Sequence, residues 1–154
     1  CENNLYSTAS PLSVRQPDGL EIVERGRGHG VPSDQGDGND APAVYELARR
    51  AVERARRGEG PTFLEFKTYR WREHCGPNDD SALGYRTAEE IDAWKQRCPI
   101  ERLERSWLAE EAVTPQELEQ IRRTIEAEFS EAVAFAKASP MPDAAELMTN
   151  LYAP

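Results

Sequence analysis

The chain has 154 residues, 38% of them hydrophobic and 31% charged, with a formal net charge of −9. That length suffices for one domain with a core, although the composition is polar for an independent globule, and the acidic balance disfavours non-specific attachment to nucleic acid or to an anionic membrane. No apolar run approaches the roughly 20 residues that a spanning helix needs, and no charged start followed by an apolar core reads as a secretory signal. Three cysteines, Cys1, Cys75 and Cys98, form no CxxC pair and leave one over if two are bridged, so a reducing, cytosolic setting is the simplest reading. The first residue is not Met and the chain opens inside a polar cluster, which suggests a piece of something longer.

Residues 1–11, CENNLYSTASP, read as a loop closed by Pro11. Two readings of Asn3 and Asn4 stand side by side. In one they hold a turn through side-chain to backbone bonds; in the other their amide oxygens join backbone carbonyls, a carboxylate and a phosphate around a hard cation. Residues 18–27 predict a short amphipathic helix, ended by the glycines of GRGHG. Those glycines lack the strand before and the Lys-Ser/Thr after that a phosphate loop needs, so helix capping and a turn explain them, and His29 reads as a cap or surface residue. DQGDGND, residues 34–40, is rejected as a calcium loop because position twelve is Tyr45 and the glycine is misplaced. Asp37-Gly38 reads as a turn and Asp40 as the N-cap of a helix with Pro42 in its first turn. That helix runs to about Arg57 on an apolar stripe of Val44, Leu47, Ala48, Ala51, Val52 and Ala55.

A strand over 61–69 follows, in which Phe63, Glu65 and Lys67 alternate with Leu64, Phe66 and Thr68. It runs straight into a long polar loop, 70–86, whose start carries Arg70, Trp71, Arg72, Glu73, His74 and Cys75. Binding and catalytic groups in open α/β sheets gather beyond the carboxyl ends of strands, and long loops in compact domains are more often functional than accidental. This loop is therefore the first candidate site. Beyond it, Thr87-Ala-Glu-Glu reads as a capping box for a helix through Gln96, and Pro99 opens another to about Glu110. Thr114-Pro-Gln-Glu caps the longest helix, about 26 residues to Ser139, with Leu118, Ile121, Ile125, Ala132, Val133 and Ala136 at helical spacing. Such a helix needs a surface beside it, its own sheet or a partner. Pro140 and Pro142 break the chain before a final short helix over 144–151.

The ordered set of ENN-x-Y, DGND before a helix, GP-T-x-x-E before TYR, a His four places past that Arg, then YRT and an acidic helix resembles the alpha subunit of the thiamine-diphosphate-dependent 2-oxo acid dehydrogenases and acetoin dehydrogenases. The likeness covers essentially the whole chain and corresponds to the C-terminal half of that subunit. It implies an α/β fold: the C-terminal part of the doubly wound thiamine-diphosphate-binding domain over residues 1–86, and a helical tail over 87–154 that packs on the domain or on a partner subunit. The implied reaction is oxidative decarboxylation of a pyruvate-like 2-oxo acid, or cleavage of acetoin, with the acyl unit passed to a lipoyl group. The implied partners are a beta subunit, in a heterotetramer, and a lipoyl-bearing acyltransferase.

The resemblance also assigns residues. It implies Asn4 as a side-chain ligand and Tyr6 as a backbone-carbonyl ligand of the Mg²⁺ that holds the cofactor diphosphate. The aspartate of the family's GDG motif belongs about thirty residues upstream of the Asn pair, outside this sequence. His74 matches the loop histidine that reaches the cofactor's terminal phosphate and the substrate channel, where imidazole can donate to phosphate oxygens or move a proton near neutral pH. Arg70, Tyr85 and Arg86 match residues that order the loop and dock the lipoyl carrier. Cys75 stands where animal and plant members carry a phosphorylatable Ser, and Gly84 stands at a second such place, so kinase control is not expected at either. The GPNDD insertion leaves the acyl substrate open. Two rivals stay in view: a non-catalytic acidic module that docks a partner, and a carbon-ligase or acyl-transfer relative using the same cofactor in biosynthesis.

Overall fold

The computed structural model describes residues 1–149 and 151–152. It divides into two compact units, Cys1–Trp107 and Leu108–Pro154. The first is built on a three-stranded parallel sheet in the order β1-β5-β4, made of β1 (Glu2–Asn3), β4 (Ser33–Asp37) and β5 (Phe63–Lys67). A separate two-stranded antiparallel hairpin joins β2 (Tyr6–Ser7) to β3 (Ser10–Pro11). Strand β4, helix α2 (Ala41–Arg56) and β5 form a βαβ unit, so the expected parallel α/β organisation is present.

Strand parity sorts the two faces of the sheet. Helix α1 (Val23–Gly28) lies against the face of Ser33, Phe63 and Glu65, so closely that a Cβ on Gly26 would stand 2.9 Å from Phe63 Cβ. Helix α2 covers the opposite face, where a Cβ on Gly36 would meet Leu47 at 2.8 Å and Phe66 at 3.5 Å. Gly26 and Gly36 are thus the two places where missing side chains let the layers close. Helices α3 (Ala88–Lys95) and α4 (Pro99–Ala109) follow the loop. Arg102 of α4 donates to Asp37 at 2.9 Å, to Asp40 at 3.2 Å and to the Asn39 carbonyl at 3.0 Å, fastening α4 over the turn between β4 and α2.

In the second unit, α5 (Pro115–Ala138) has the expected capping box between Thr114 and Glu117, and its 24 residues are slightly fewer than the expected 26. It extends roughly 36 Å at the usual rise per residue. Leu118 is its one buried side chain among the described residues, while Ile121, Ile125 and Phe129 on the same stripe are exposed.

Several expectations are corrected. Residues 1–11 are a strand and a hairpin rather than a loop; β1 pairs with β5, more than sixty residues on, and two residues offer no alternation to read. The first helix begins at Val23 instead of 18, and Gly26 and Gly28 lie within it, with Gly30 (φ 73°) beyond its end; His29 is its exposed C-cap. Residues 33–37, for which the sequence predicted no strand and whose Asp37 was expected in a turn with Gly38, are strand β4, which contains no apolar residue and owes its state to the ladder with β5. The strand expected over 61–69 is the shorter Phe63–Lys67. The closing helix is a 3-10 turn, Ala144–Met148, and Asn150 within its expected span lies outside the described residues. Thr87 caps α3 by accepting from Glu90 N at 3.1 Å, but the box is not reciprocal, because the Glu90 carboxylate accepts from Tyr6 Oη at 2.9 Å instead. By contrast, Asp40 caps α2 as read, accepting from Ala43 N at 3.0 Å.

Candidate functional site

The parallel strands all end on one side, at Asn3, Lys67 and Asp37, and a cavity of about 390 Å³ opens there on the α2 face. It is lined by Glu2 and Asn4 from the first segment, by Gly38 and Val44 from the turn into α2, and by Phe66, Thr68, Tyr69 and Arg70 from the end of β5. A Cβ at Gly38 would come within 2.9 Å of the Lys67 carbonyl, so only glycine lets this wall close against the strand.

Two successive side-chain turns shape the first segment. Asn3 Oδ1 accepts from Leu5 N, and Asn4 Oδ1 from Tyr6 N, each at 3.1 Å. Between them Leu5 sits at φ 69°, a left-handed conformation that costs a side-chain-bearing residue roughly 1–2 kcal/mol. Leu12 N donates to the Leu5 carbonyl at 2.8 Å, so Tyr6, one residue on, falls at a non-hydrogen-bonded place of the hairpin ladder. Its N–H and carbonyl therefore point away from β3, on the edge where its N–H meets Asn4. Two oxygens suited to a hard cation, the amide oxygen of Asn4 and the carbonyl of Tyr6, share that edge. The turn expected of the Asn pair is thus present, and it leaves the Asn4 oxygen a second lone pair. Arg70 lines the same cavity, and its Nε is buried without an acceptor. This donor set fits a metal-bound diphosphate, and no group of three or more His, Cys, Asp or Glu able to hold a metal occurs among the described residues.

The Tyr6 side chain runs the other way, into an aromatic cluster. Its ring meets Tyr69 and Tyr85 edge-on at 6.2 and 5.5 Å, and Tyr69 stacks on Trp94 of α3 at 5.3 Å. Burial, and then the hydrogen bond to Glu90, push the Tyr6 hydroxyl far above its ordinary range; burial and the nearby Glu90 push Tyr69 up to about 12. The Tyr6 hydroxyl donates to Glu90, while the Tyr69 hydroxyl is buried without a hydrogen-bond partner.

The loop residues divide. Asp80 is buried and serves as a hub: Arg86 and Tyr85 donate to its two oxygens, and Arg70 lies 3.7 Å away. Burial would raise this carboxyl, but the hydrogen bonds from Tyr85 and Arg86 and the charges of Arg86 and Arg70 outweigh it and hold it below the usual range. Arg70 also donates to Tyr85 Oη at 2.8 Å and to the Thr8 carbonyl at 3.2 Å, tying the loop to the hairpin. The Arg86 side chain is 1% exposed, lies over the rings of Tyr69 and Tyr85 and donates to the Arg70 carbonyl, so it acts from within. His74 stands apart: it is exposed along the outer loop and has no side-chain partner among the described residues.

The structure thus brings Asn4, Tyr6 and Arg70 to one strand end, joins Arg70, Tyr85 and Arg86 through Asp80, and leaves His74 on the outer part of the loop. Three residues escaped sequence reasoning. In the sequence Asp80 stands only as part of an insertion, and Glu90 only as half of a capping box. Glu65, 0% exposed, stands in the sequence as one member of a strand alternation; the available signal is an acid sharing the inward parity of Phe63.

With this geometry in place, comparison with known proteins gives the family. The model of the dehydrogenase E1 component family matches residues 1–145, and the chain belongs to that family. It is 37% identical over 151 residues to the pyruvate dehydrogenase E1 component subunit alpha-3, chloroplastic, of Oryza sativa subsp. japonica, a match covering 98% of this chain and 35% of that protein. It is 41% identical over 155 residues to the subunit alpha-2, mitochondrial, of Arabidopsis thaliana, covering 99% and 37%. With the subunit alpha of Rickettsia felis it shares 34% over 151 residues, covering 98% and 45%. The chain therefore spans less than half the length of these relatives. No helix among the described residues is long and apolar enough to cross a membrane.

Proposed function

We propose that these residues are the C-terminal part of the alpha subunit of a thiamine-diphosphate-dependent 2-oxo acid dehydrogenase, with pyruvate or a similar acid as substrate and a lipoyl group as acyl acceptor. The observation that carries this is the cavity at the strand ends, lined by both Asn4 and Arg70. The family membership and the names of the relatives support the reaction class. In this proposal residues 1–86 complete a doubly wound cofactor domain whose remainder lies elsewhere in the full protein. The apolar stripe of α5 in the tail, 87–154, offers a face that a beta subunit of a heterotetramer would cover. The three cysteines are free, which suits the reducing, cytosolic setting suggested by the sequence.

Asn4 Oδ1 and the Tyr6 carbonyl would hold Mg²⁺, and Arg70 would contribute positive charge and a spare N–H toward phosphate oxygens. When bound, thiamine diphosphate supplies a nucleophilic carbon and an electron sink. The chain's own part is to bind, orient and enclose. His74, carried on the loop, would donate to a phosphate oxygen of the bound cofactor or move a proton at a ring nitrogen during acyl transfer. The Asp80 hub fixes the loop's ends while residues 71–79 reach toward the site and the acyltransferase.

In the full-length enzyme, Asn4→Ala should weaken retention of Mg²⁺ and cofactor, partly rescued by excess of both; unchanged retention by calorimetry would leave Asn4 a turn residue only. His74→Ala should lower the complete reaction with the lipoyl partner by about 10²-fold or more. Decarboxylation with an artificial electron acceptor should fall far less, and equal losses in the two assays would remove the acyl-transfer role.

A further inference from the structure

The one buried residue of the central strand β5 is a carboxylate. Glu65 is 0% exposed, and both its oxygens are engaged by N–H donors: Oε1 by Asn3 Nδ2 and Oε2 by Val23 N, each at 2.7 Å. Burying a carboxylate in the middle of a sheet costs several kcal/mol unless its oxygens are satisfied, and apolar side chains are the usual occupants of such a place. A strand needs no acid here for its own pairing, so the role of Glu65 lies in what it holds.

What it holds is the orientation of one amide. Glu65 accepts from Asn3 Nδ2, which turns Asn3 Oδ1 toward Leu5 N at 3.1 Å. That bond supports the left-handed Leu5 between Asn4 and Tyr6. The main chain of Asn3 is pinned as well, because its carbonyl accepts from Thr68 N at 2.9 Å. The relay runs from β5 through a 6%-exposed amide to the turn that presents the two oxygens.

We infer that Glu65 is a positioning residue for the metal ligands, acting through Asn3 to preset the turn that carries Asn4 Oδ1 and the Tyr6 carbonyl. This rests on the proposal that those oxygens face a metal. An acceptor-only group is required at 65. A glutamine there sets an N–H₂ against either Val23 N or the Asn3 amide, and an Asn3 that flips to accommodate it turns its own N–H₂ against Leu5 N. The relay can instead be inverted by combining Asn3→Asp with Glu65→Gln. The glutamine oxygen then accepts from Val23 N, its N–H₂ donates to one oxygen of the introduced carboxylate, and the other carboxylate oxygen accepts from Leu5 N.

The test uses the full-length enzyme, with Mg²⁺ titrated calorimetrically at fixed thiamine diphosphate and thermal unfolding recorded without metal. Glu65→Gln should raise the Mg²⁺ concentration for half-saturation by about ten-fold or more, the size typical of losing a group that orients a ligand. The substrate KM at saturating metal should not change, and the paired variant, Asn3→Asp with Glu65→Gln, should return the metal affinity to that of the wild type. Wild-type affinity in Glu65→Gln overturns the inference. So does a paired variant that restores neither folding nor affinity, including the case where Glu65→Gln alone fails to fold. Asn4→Ala, run in parallel, separates the two ideas: a normal Mg²⁺ titration there removes the metal reading itself, whereas a weakened one beside an unaffected Glu65→Gln removes only the role of Glu65.

Discussion

The two halves of the loop between β5 and α3 are both rich in charge, yet they end in opposite states. In residues 71–79, Trp71, Arg72 and Cys75 are exposed, His74 has no side-chain partner among the described residues, and Glu73 finds only Asn78 within its own loop, at 2.9 Å. In residues 80–86, Asp80 and Arg86 are buried: both Asp80 oxygens accept hydrogen bonds, and Arg86 lies over the Tyr69 and Tyr85 rings and donates to Asp80 and to the Arg70 carbonyl, with its Nε left without a partner. The difference teaches that charge density alone does not mark an exposed, working loop. Position relative to the aromatic cluster decides which charges are desolvated and become structure. Those left outside are free to meet a ligand or a partner.

Breaking the buried half should have the largest effect. Asp80→Ala strands Arg86 in a desolvated place and should cost about 3–5 kcal/mol, seen as a fall in denaturation midpoint and earlier proteolysis of residues 71–86. A loss below about 1 kcal/mol would mean that the hub is no anchor.

Acid should reproduce part of that loss. Since the Asp80 carboxyl is held below its ordinary value, its contribution is fully present above the unfolded carboxyl pKa of about 4 and is lost as pH falls through the depressed folded value. The stability gap between wild type and Asp80→Asn should therefore be constant near neutrality and close on acidification. A gap that widens toward low pH would reverse the sign and reject the assignment. Tyr85→Phe, which keeps the ion pair but removes the hydroxyl that donates to Asp80 and accepts from Arg70, should cost less, about 1.5–3 kcal/mol by chemical denaturation.

Smaller effects sharpen the contrast. Thr87→Ala removes the single cap bond of α3 and should cost about 1 kcal/mol without disturbing the Tyr6–Glu90 hydrogen bond, which proton exchange at the Tyr6 hydroxyl would report. His74→Ala, in the outer half, should leave stability within about 0.5 kcal/mol of the wild type. A larger change would mean that this side chain also belongs to the structural network.

What the sequence determined by itself was whatever depends on neighbours along the chain. The apolar stripe and Asp40-x-Pro42 define α2, Thr114-Pro-Gln-Glu defines the start of α5, and alternation marks β5 because those signals repeat within a few residues. The ordered motifs also carried the family resemblance, which the match over residues 1–145 supports. Tertiary structure alone decided the rest. Strands β1 and β4 are too short or too polar to show a period and exist because β5 lies between them. Glu90 abandons its own cap for Tyr6, 84 residues away, and Glu65 and Asp80 are buried because donors arrive from elsewhere in the fold. A polar side chain's fate is set by which partners reach it once water is excluded, and for Glu65 and Glu90 those partners are distant in the chain.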